Sequence, residues 1–350
     1  MAKLTLKDIM ATIEVIFKQR VANLISVGTK GRVLFCVKNE ELTETSRLRV
    51  FGSAVFDLDA SEATLEKQIK QIFKGGAVEV NVLEYQDTIA GVVEQINVLK
   101  WDWIFTIDEL EQETIVAYCK ENKRFGLVHN QKADSMWIVS NNNPSAVMED
   151  GTGINGFELL PILAGVIAGC PYDKSISNVV FNELKSVTLP EEIEFGQCTL
   201  YNEEEGVRVA SPVNTLVTLG ENLTEDMKSI CIVEGMKRLN DDIVYAFRTG
   251  YKGKYKNKYD NQCLFFSACN YYLEQLEELG ILDPDYDNKV DVNVKKQRQM
   301  WIAVGKDADV INKMSDLDIK KLTFKNMIYP LVNAKFLDAI EGMSMEVEMY

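Results

Sequence analysis

The sequence predicts an α/β domain with a largely parallel sheet, followed by a smaller α+β domain. Three observations predict it. Buried-strand and helix patterns alternate from residue 31 to about 170, the order that builds a parallel sheet with helices on its faces. After about residue 195 the alternation stops and gives way to a hairpin signal and two long helical patterns. The chain then closes on Met343-Ser344-Met345-Glu346-Val347-Glu348-Met349, which alternates apolar and polar residues as a half-buried strand does.

In order, Gly31 to Val37 reads as a buried strand, 62–73 as a helix stopped near Gly75-Gly76, and 78–83 as an alternating strand. Helical spacing returns over 86–98 through Ile89, Val92, Val93 and Ile96. Trp103 to Ile107 is a further buried strand, and the acidic start Asp108-Glu109 opens a helix to about 122, because carboxylates favour a helix amino end. Strands follow at 125–129 and 136–139, then a loop at Asn141-Asn142-Asn143-Pro144 and an apolar Gly- and Ala-bearing helix from Phe157 to Gly169. In the second region, short strands at 197–201 and 206–210 flank Asn202-Glu203-Glu204-Glu205. Thr224 can cap a helix running through Ile230 and Ile243 to Phe247, and another covers about 261–279, stopped by Gly280. The tail from 324 reads as strand material through Ala334-Lys335-Phe336-Leu337, whereas the first 25 residues are mixed in character.

Composition excludes several classes. The net charge is −15, from 53 Asp and Glu against 38 Lys and Arg, which argues against nucleic acid and against anionic membranes, since both need a basic face. No signal-peptide pattern and no run of about 18 apolar residues is present, so the chain is expected to be made in the cytoplasm and not to insert in a membrane. Seven scattered cysteines (36, 119, 170, 198, 231, 263, 269) lack C-x-x-C spacing and read as reduced, buried thiols.

Catalytic constellations are missing. Gly151-Thr152-Gly153-Ile154-Asn155-Gly156 spells G-x-G-x-x-G, but no strand leads directly into the first glycine, so it reads as a flexible loop before a helix, not a phosphate cradle. His129 is the single histidine; no nucleophile signature accompanies it, and one histidine with dispersed cysteines gives no usual zinc site. No catalytic residue, cofactor or metal is therefore expected. Lys252, Lys254, Lys256 and Lys258 interleave with tyrosines as the one basic patch. In so acidic a chain they are a candidate interface for an acidic patch on a protein partner.

The terminal strand has an energetic requirement. Burying Met343, Met345, Val347 and Met349 is worth roughly 6–10 kcal/mol as an upper estimate, while ordering seven backbone residues costs roughly 7–14 kcal/mol. It therefore needs a ready-made sheet edge, in its own domain or on a neighbouring subunit. Residues 1–25 are +2 and 336–350 are −4, so the two ends attract weakly across a head-to-tail contact.

Residues 155–350 resemble the contractile phage tail sheath family, especially the sheaths of clostridial prophages and phage-tail-like bacteriocins. Leu163-Ala164-Gly165 through Pro171 is similar to a family helix ending in an A-G-x-P-like turn, and Val213-Asn214-Thr215-Leu216 to its V-N-[ST]-L stretch. Tyr251-Lys252-Gly253-Lys254, with Asn257, Tyr259-Asp260-Asn261 and Leu264, is similar to Y-x-G-K-x-x-N-x-Y-D-N-x-x-L. Ala334 to Glu341 resembles the start of the terminal arm, and the first half matches weakly, mainly at Lys30-Gly31-Arg32-Val33.

The resemblance implies a subtilisin-like α/β domain without the protease triad over 26–195, a smaller α+β domain over 196–335, and strand-exchange arms over 1–25 and 336–350. It implies inter-subunit contacts by Leu4 and Leu6 at one end and by Met343, Met345, Val347 and Met349 at the other. The implied assembly is a helical stack of hexameric rings around a tail tube protein, bounded by baseplate and tail terminator proteins, located in a virion or tail-like particle assembled in a bacterial host. Contraction would drive the tube through a target envelope. An α/β hydrolase or nucleotide-binding enzyme, and a non-contractile oligomeric scaffold, are the other readings.

Overall fold

The computed structural model describes Ile25 and residues 30–52, 58, 60–192 and 194–346. Two compact units divide it: Thr29–Glu234 with the tail from Asp338, and Gly235–Leu337.

The first unit is built on a six-stranded sheet of β1 (Arg32–Lys38), β2 (Ser46–Gly52), β3 (Glu79–Tyr85), β4 (Trp103–Thr106), β5 (Phe125–His129) and β6 (Ile138–Asn141), in the order β2-β3-β1-β4-β5-β6. All neighbours are parallel except β2, which lies antiparallel to β3 as an edge strand. Helices α1 (Ala63–Lys74), α2 (Val93–Val98), α3 (Gln112–Asn122) and α4 (Leu160–Gly169) cover it. Successive strand residues point to opposite faces. Val33 and Phe35 pack with Ile69, Ile72 and Leu163 of α1 and α4. Leu34 and Cys36 pack with Ile96, Ile115 and Cys119 of α2 and α3. Burial on both faces explains why these strands read as continuous apolar runs.

Helix α4 owes its glycines to α1. A Cβ on Gly165 would sit 2.3 Å from the Ile72 carbonyl oxygen, and one on Gly169 would sit 2.5 Å from that of Gly75. The two backbones touch, which any side chain at these positions forbids.

Three further strands, β7 (Ser145–Met148), β8 (Gly153–Asn155) and β9 (Leu184–Val187), form a small antiparallel sheet ordered β8-β7-β9. The glycine run is thus half hairpin strand, and the expected flexible loop is an ordered return to β7. The asparagine run is the expected loop, from the end of β6 to β7, but a buried one: Asn141, Asn142 and Asn143 are all buried. Asn143 accepts from Leu200 N at 2.7 Å and donates to the carbonyls of Leu200 and Thr188. These amides replace the strand partners the backbone lacks there.

The hairpin of β10 (Leu200–Glu203) and β11 (Gly206–Val209) contributes Leu200, Val207 and Val209 to the α1–α4 core. The first unit consequently continues past residue 195, to Glu234. A buried ion pair stands at that end. Lys30 and Glu234 are each 8% exposed at the side chain, and Trp103 Nε1 donates to Glu234 at 2.7 Å. The Lys30 ammonium lies 5.1 Å from the Tyr172 ring centre. Burial pushes the Glu234 carboxyl upward, against the pull of Lys30.

Helix α5 (Ile230–Ala246) follows a 3-10 turn at Glu225–Lys228, so it starts later than the expected cap at Thr224. It ends in a π-turn, Phe247–Tyr251. The second unit contains α6 (Tyr259–Glu278), with Phe265, Cys269, Tyr272 and Leu276 buried, and β12 (Lys289–Val292). Helices α7 (Val294–Ala303), α8 (Ala308–Lys313) and α9 (Asp316–Lys321) precede β13 (Pro330–Asn333), which pairs antiparallel with β12. Among the described residues no helix is long and apolar enough to cross a membrane. Of the five cysteines 36, 119, 170, 198 and 269, all are buried; Cys231 and Cys263 are half-buried, and all seven are free.

Candidate assembly surfaces

The two features closest to enzyme chemistry pack against each other. His129 ends β5, is 8% exposed, and its backbone N–H donates to Gln112. Its ring meets Phe157 edge-on at 4.6 Å, and a Cβ on Gly156 would fall 2.1 Å from its Cε1. The last glycine of the run therefore makes room for an imidazole, and burial holds that imidazole below its usual pKa. Among the described residues no group of three or more His, Cys, Asp or Glu could hold a metal ion.

The lysine loop of the second unit is built firmly. Tyr251 meets Phe265 edge-on at 4.9 Å and lies tilted against Tyr255 at 5.5 Å. Asn257 donates to the carbonyls of Phe324, Lys325 and Met327, and Asn261 to that of Lys256. Gly253 takes the positive φ of +75° that turns the chain between Lys252 and Lys254. Lys252, Lys254, Lys256 and Lys258 are all exposed. The structure thus displays four exposed like charges on a loop held by these contacts.

The two-stranded sheet has two unequal edges. Asn293 N donates to Tyr329 O, and these residues lie in register with the β12–β13 pairs. Alternation along an antiparallel ladder then turns the amides of Val290 and Val292 away from β13, and those of Val332 away from β12. On the β12 side, Asn270 of α6 imitates a strand: its Oδ1 accepts from Val290 N at 2.6 Å and its Nδ2 donates to Val290 O. Val292 N is held by Asp291. On the β13 side, no further strand pairs with Val332 among the described residues. An unpaired row of this kind is a template for strand addition.

The tail continues β13 before it departs. Asp283 N donates to Lys335 O, Leu337 N donates to Ile281 O, and Phe336 bridges Leu282. Val332, Ala334 and Phe336 are half-buried while Leu331, Asn333, Lys335 and Leu337 are exposed. Strand-like pairing therefore reaches Leu337, past the expected arm boundary at 336. From Asp338, which accepts from Ser229 Oγ, and Glu341, which accepts from Ser177 Oγ, residues to 346 carry no regular structure. Ile340 is 95% exposed, Met343 83% and Met345 70%. Met343 and Met345 are thus placed in no strand here. Val347 and Met349, like Leu4 and Leu6, lie outside the described residues.

With this geometry the chain was compared with known proteins. Residues 223–349 match the family described as phage tail sheath C-terminal domain. The chain is similar to the tail sheath protein of Clostridium phage phiCD119, at 24% identity over 97% of this chain and 99% of that protein. In structure it is similar to a sheath tail protein from Desulfitobacterium hafniense, with TM-score 0.63, 13% identity, and 77% of this chain and 91% of that chain covered. It is also similar to the helical sheath of the anti-feeding prophage in its contracted state, with TM-score 0.64, 13% identity, and coverage of 93% and 94%.

Proposed function

We propose that this chain, a member of the contractile tail sheath family and a structural, non-enzymatic protein of phage or tail-like particles, polymerises through strand exchange. Its fold is that of the sheath proteins, whose solved forms include helical sheaths and baseplate complexes. In the proposal the subunits form hexameric rings stacked around a tail tube between baseplate and terminator. Contraction of the stack drives the tube through a target envelope. The terminal arms and the triad-less α/β domain belong to the same reading, with the division between domains moved from 195 to Glu234 and the start of the C-terminal arm to Asp338.

The observation that carries it is the pairing of an unsatisfied edge with an unsatisfied strand. Val332 turns its amide away from β12, and Met343 and Met345 expose the apolar half of an alternating pattern. The β12 edge is already occupied by Asn270, so the β13 edge is the one on offer. Met343, Met345, Val347 and Met349 of one subunit supply the strand, and Leu4 and Leu6 supply a second from the other arm. In the single chain Asp338 and Glu341 are held by Ser229 and Ser177, and residues 338–346 form no strand.

Deleting residues 340–350 tests this. The truncated chain is expected to stay folded by circular dichroism and to form no tubes by electron microscopy. Tubes formed by the truncated chain would remove the arm from the account.

A further inference from the structure

Charge is divided unevenly along the chain. Residues 30–234 hold 33 Asp and Glu against 17 Lys and Arg, a net −16, while residues 235–337 hold 14 against 17, a net +3. Free chains repel one another. A contact that sets the basic span of one copy on the acidic span of another converts that repulsion into attraction and fixes a head-to-tail sense.

Each span offers a surface with an exposed aromatic residue. On the basic side, the lysine loop carries Tyr255 at its centre, 51% exposed and backed by Tyr251. On the acidic side, the loop before β10 holds Phe195 out at 92% exposure. Beneath it runs a groove of about 490 Å³ lined by Phe195, Gly196, Ala210, Val213, Leu216 and Val217. Glu191 and Glu192 of the same loop are exposed. Glu194 is engaged by Lys132, and Lys228, the one cation lining the groove, is engaged by Glu225. The groove is thus apolar along Phe195, Ala210, Val213, Leu216 and Val217 and preceded in the chain by exposed acids, and the lysine loop is aromatic at its centre and basic around it.

Resting on the sheath reading, we infer that the 252–258 loop of one copy docks in the Phe195 groove of a second copy, with Tyr255 against Phe195 and the flanking lysines on Glu191 and Glu192. The aromatic contact supplies the desolvated centre, and the ion pairs supply orientation and encounter rate. No arm takes part, so this contact and the strand exchange are separable.

The test uses the full-length chain, with self-association read by sedimentation velocity and tubes read separately by electron microscopy. Lys252→Glu with Lys256→Glu is expected to weaken self-association at least about tenfold, as juxtaposed like charges do. Glu191→Lys with Glu192→Lys should do the same. All four changes in one chain should restore it to within about threefold, the coupling expected of contacting residues. These side chains are exposed, so circular dichroism should show every variant folded. Single-face reversals that leave self-association unchanged, or a four-fold variant no better than either pair, would overturn the contact. A wild-type chain that self-associates without tubes would instead overturn the sheath reading and leave the contact standing on the charge swap.

Discussion

Lys30→Met removes the cation from beside Glu234. Both side chains are 8% exposed, and Trp103 alone then remains to hold the carboxylate. Stranding one member of a buried pair costs about 3–5 kcal/mol. At about 2–4 °C per kcal/mol for a domain of this size, the melting temperature of the first unit should fall by roughly 6–20 °C. The loss should depend on pH. Burial already raises the Glu234 carboxyl, and without Lys30 it rises further. A carboxyl whose folded pKa lies above its unfolded value favours folding while protonated and loses that advantage as pH climbs from the unfolded toward the folded pKa. The deficit should therefore be small near about pH 5 and grow toward about pH 8. Adding Glu234→Gln removes the stranded charge and keeps an acceptor for Trp103, leaving a cost of about 1 kcal/mol, that of an ordinary hydrogen-bond change. Urea unfolding of the wild type and the two variants at both pH values measures all of this. A deficit equal at both pH values, or a double variant as unstable as Lys30→Met alone, would refute the reasoning.

Two substitutions test the framework of the assembly surfaces. Gly165→Ala places a methyl 2.3 Å from the Ile72 carbonyl, so α1 and α4 must separate, and a loss of about 2–4 kcal/mol is expected by urea unfolding. Asn270→Ala frees Val290 N and O on the β12 edge; it should cost about 1–3 kcal/mol for the unpaired amide and increase irregular aggregates beside ordered tubes in micrographs.

The parallel sheet was legible because both its faces are buried. Val33 to Cys36 and Trp103 to Phe105 leave no polar residue to confuse the period. Strand β2 was not, since Arg47 and Arg49 interrupt its pattern to reach Glu84, a residue of the neighbouring strand β3. The burial of the asparagine loop was hidden for a similar reason. Its partners, Cys198 to Leu200, lie 57 residues away, and nothing local marks a buried amide. Strand β12 is only four residues, with Lys289 and Asp291 alternating against two valines. Motif order over residues 155–350 carried the resemblance to tail sheath proteins, and residues 223–349 match the tail sheath C-terminal domain. The tail is the instructive case. Its alternation is clear in the sequence, yet residues 343–346 form no strand in the single chain. A strand is a relation between two segments, and the missing segment is assigned here to another subunit.

The most direct measurement is a density map of the assembled polymer, resolved well enough to trace residues 338–350 of each subunit. The account predicts Met343 to Met349 lying beside β13 of a neighbouring subunit, with Val332 in the shared ladder. A tail folded back on its own β13, or left unpaired in the polymer, would contradict it.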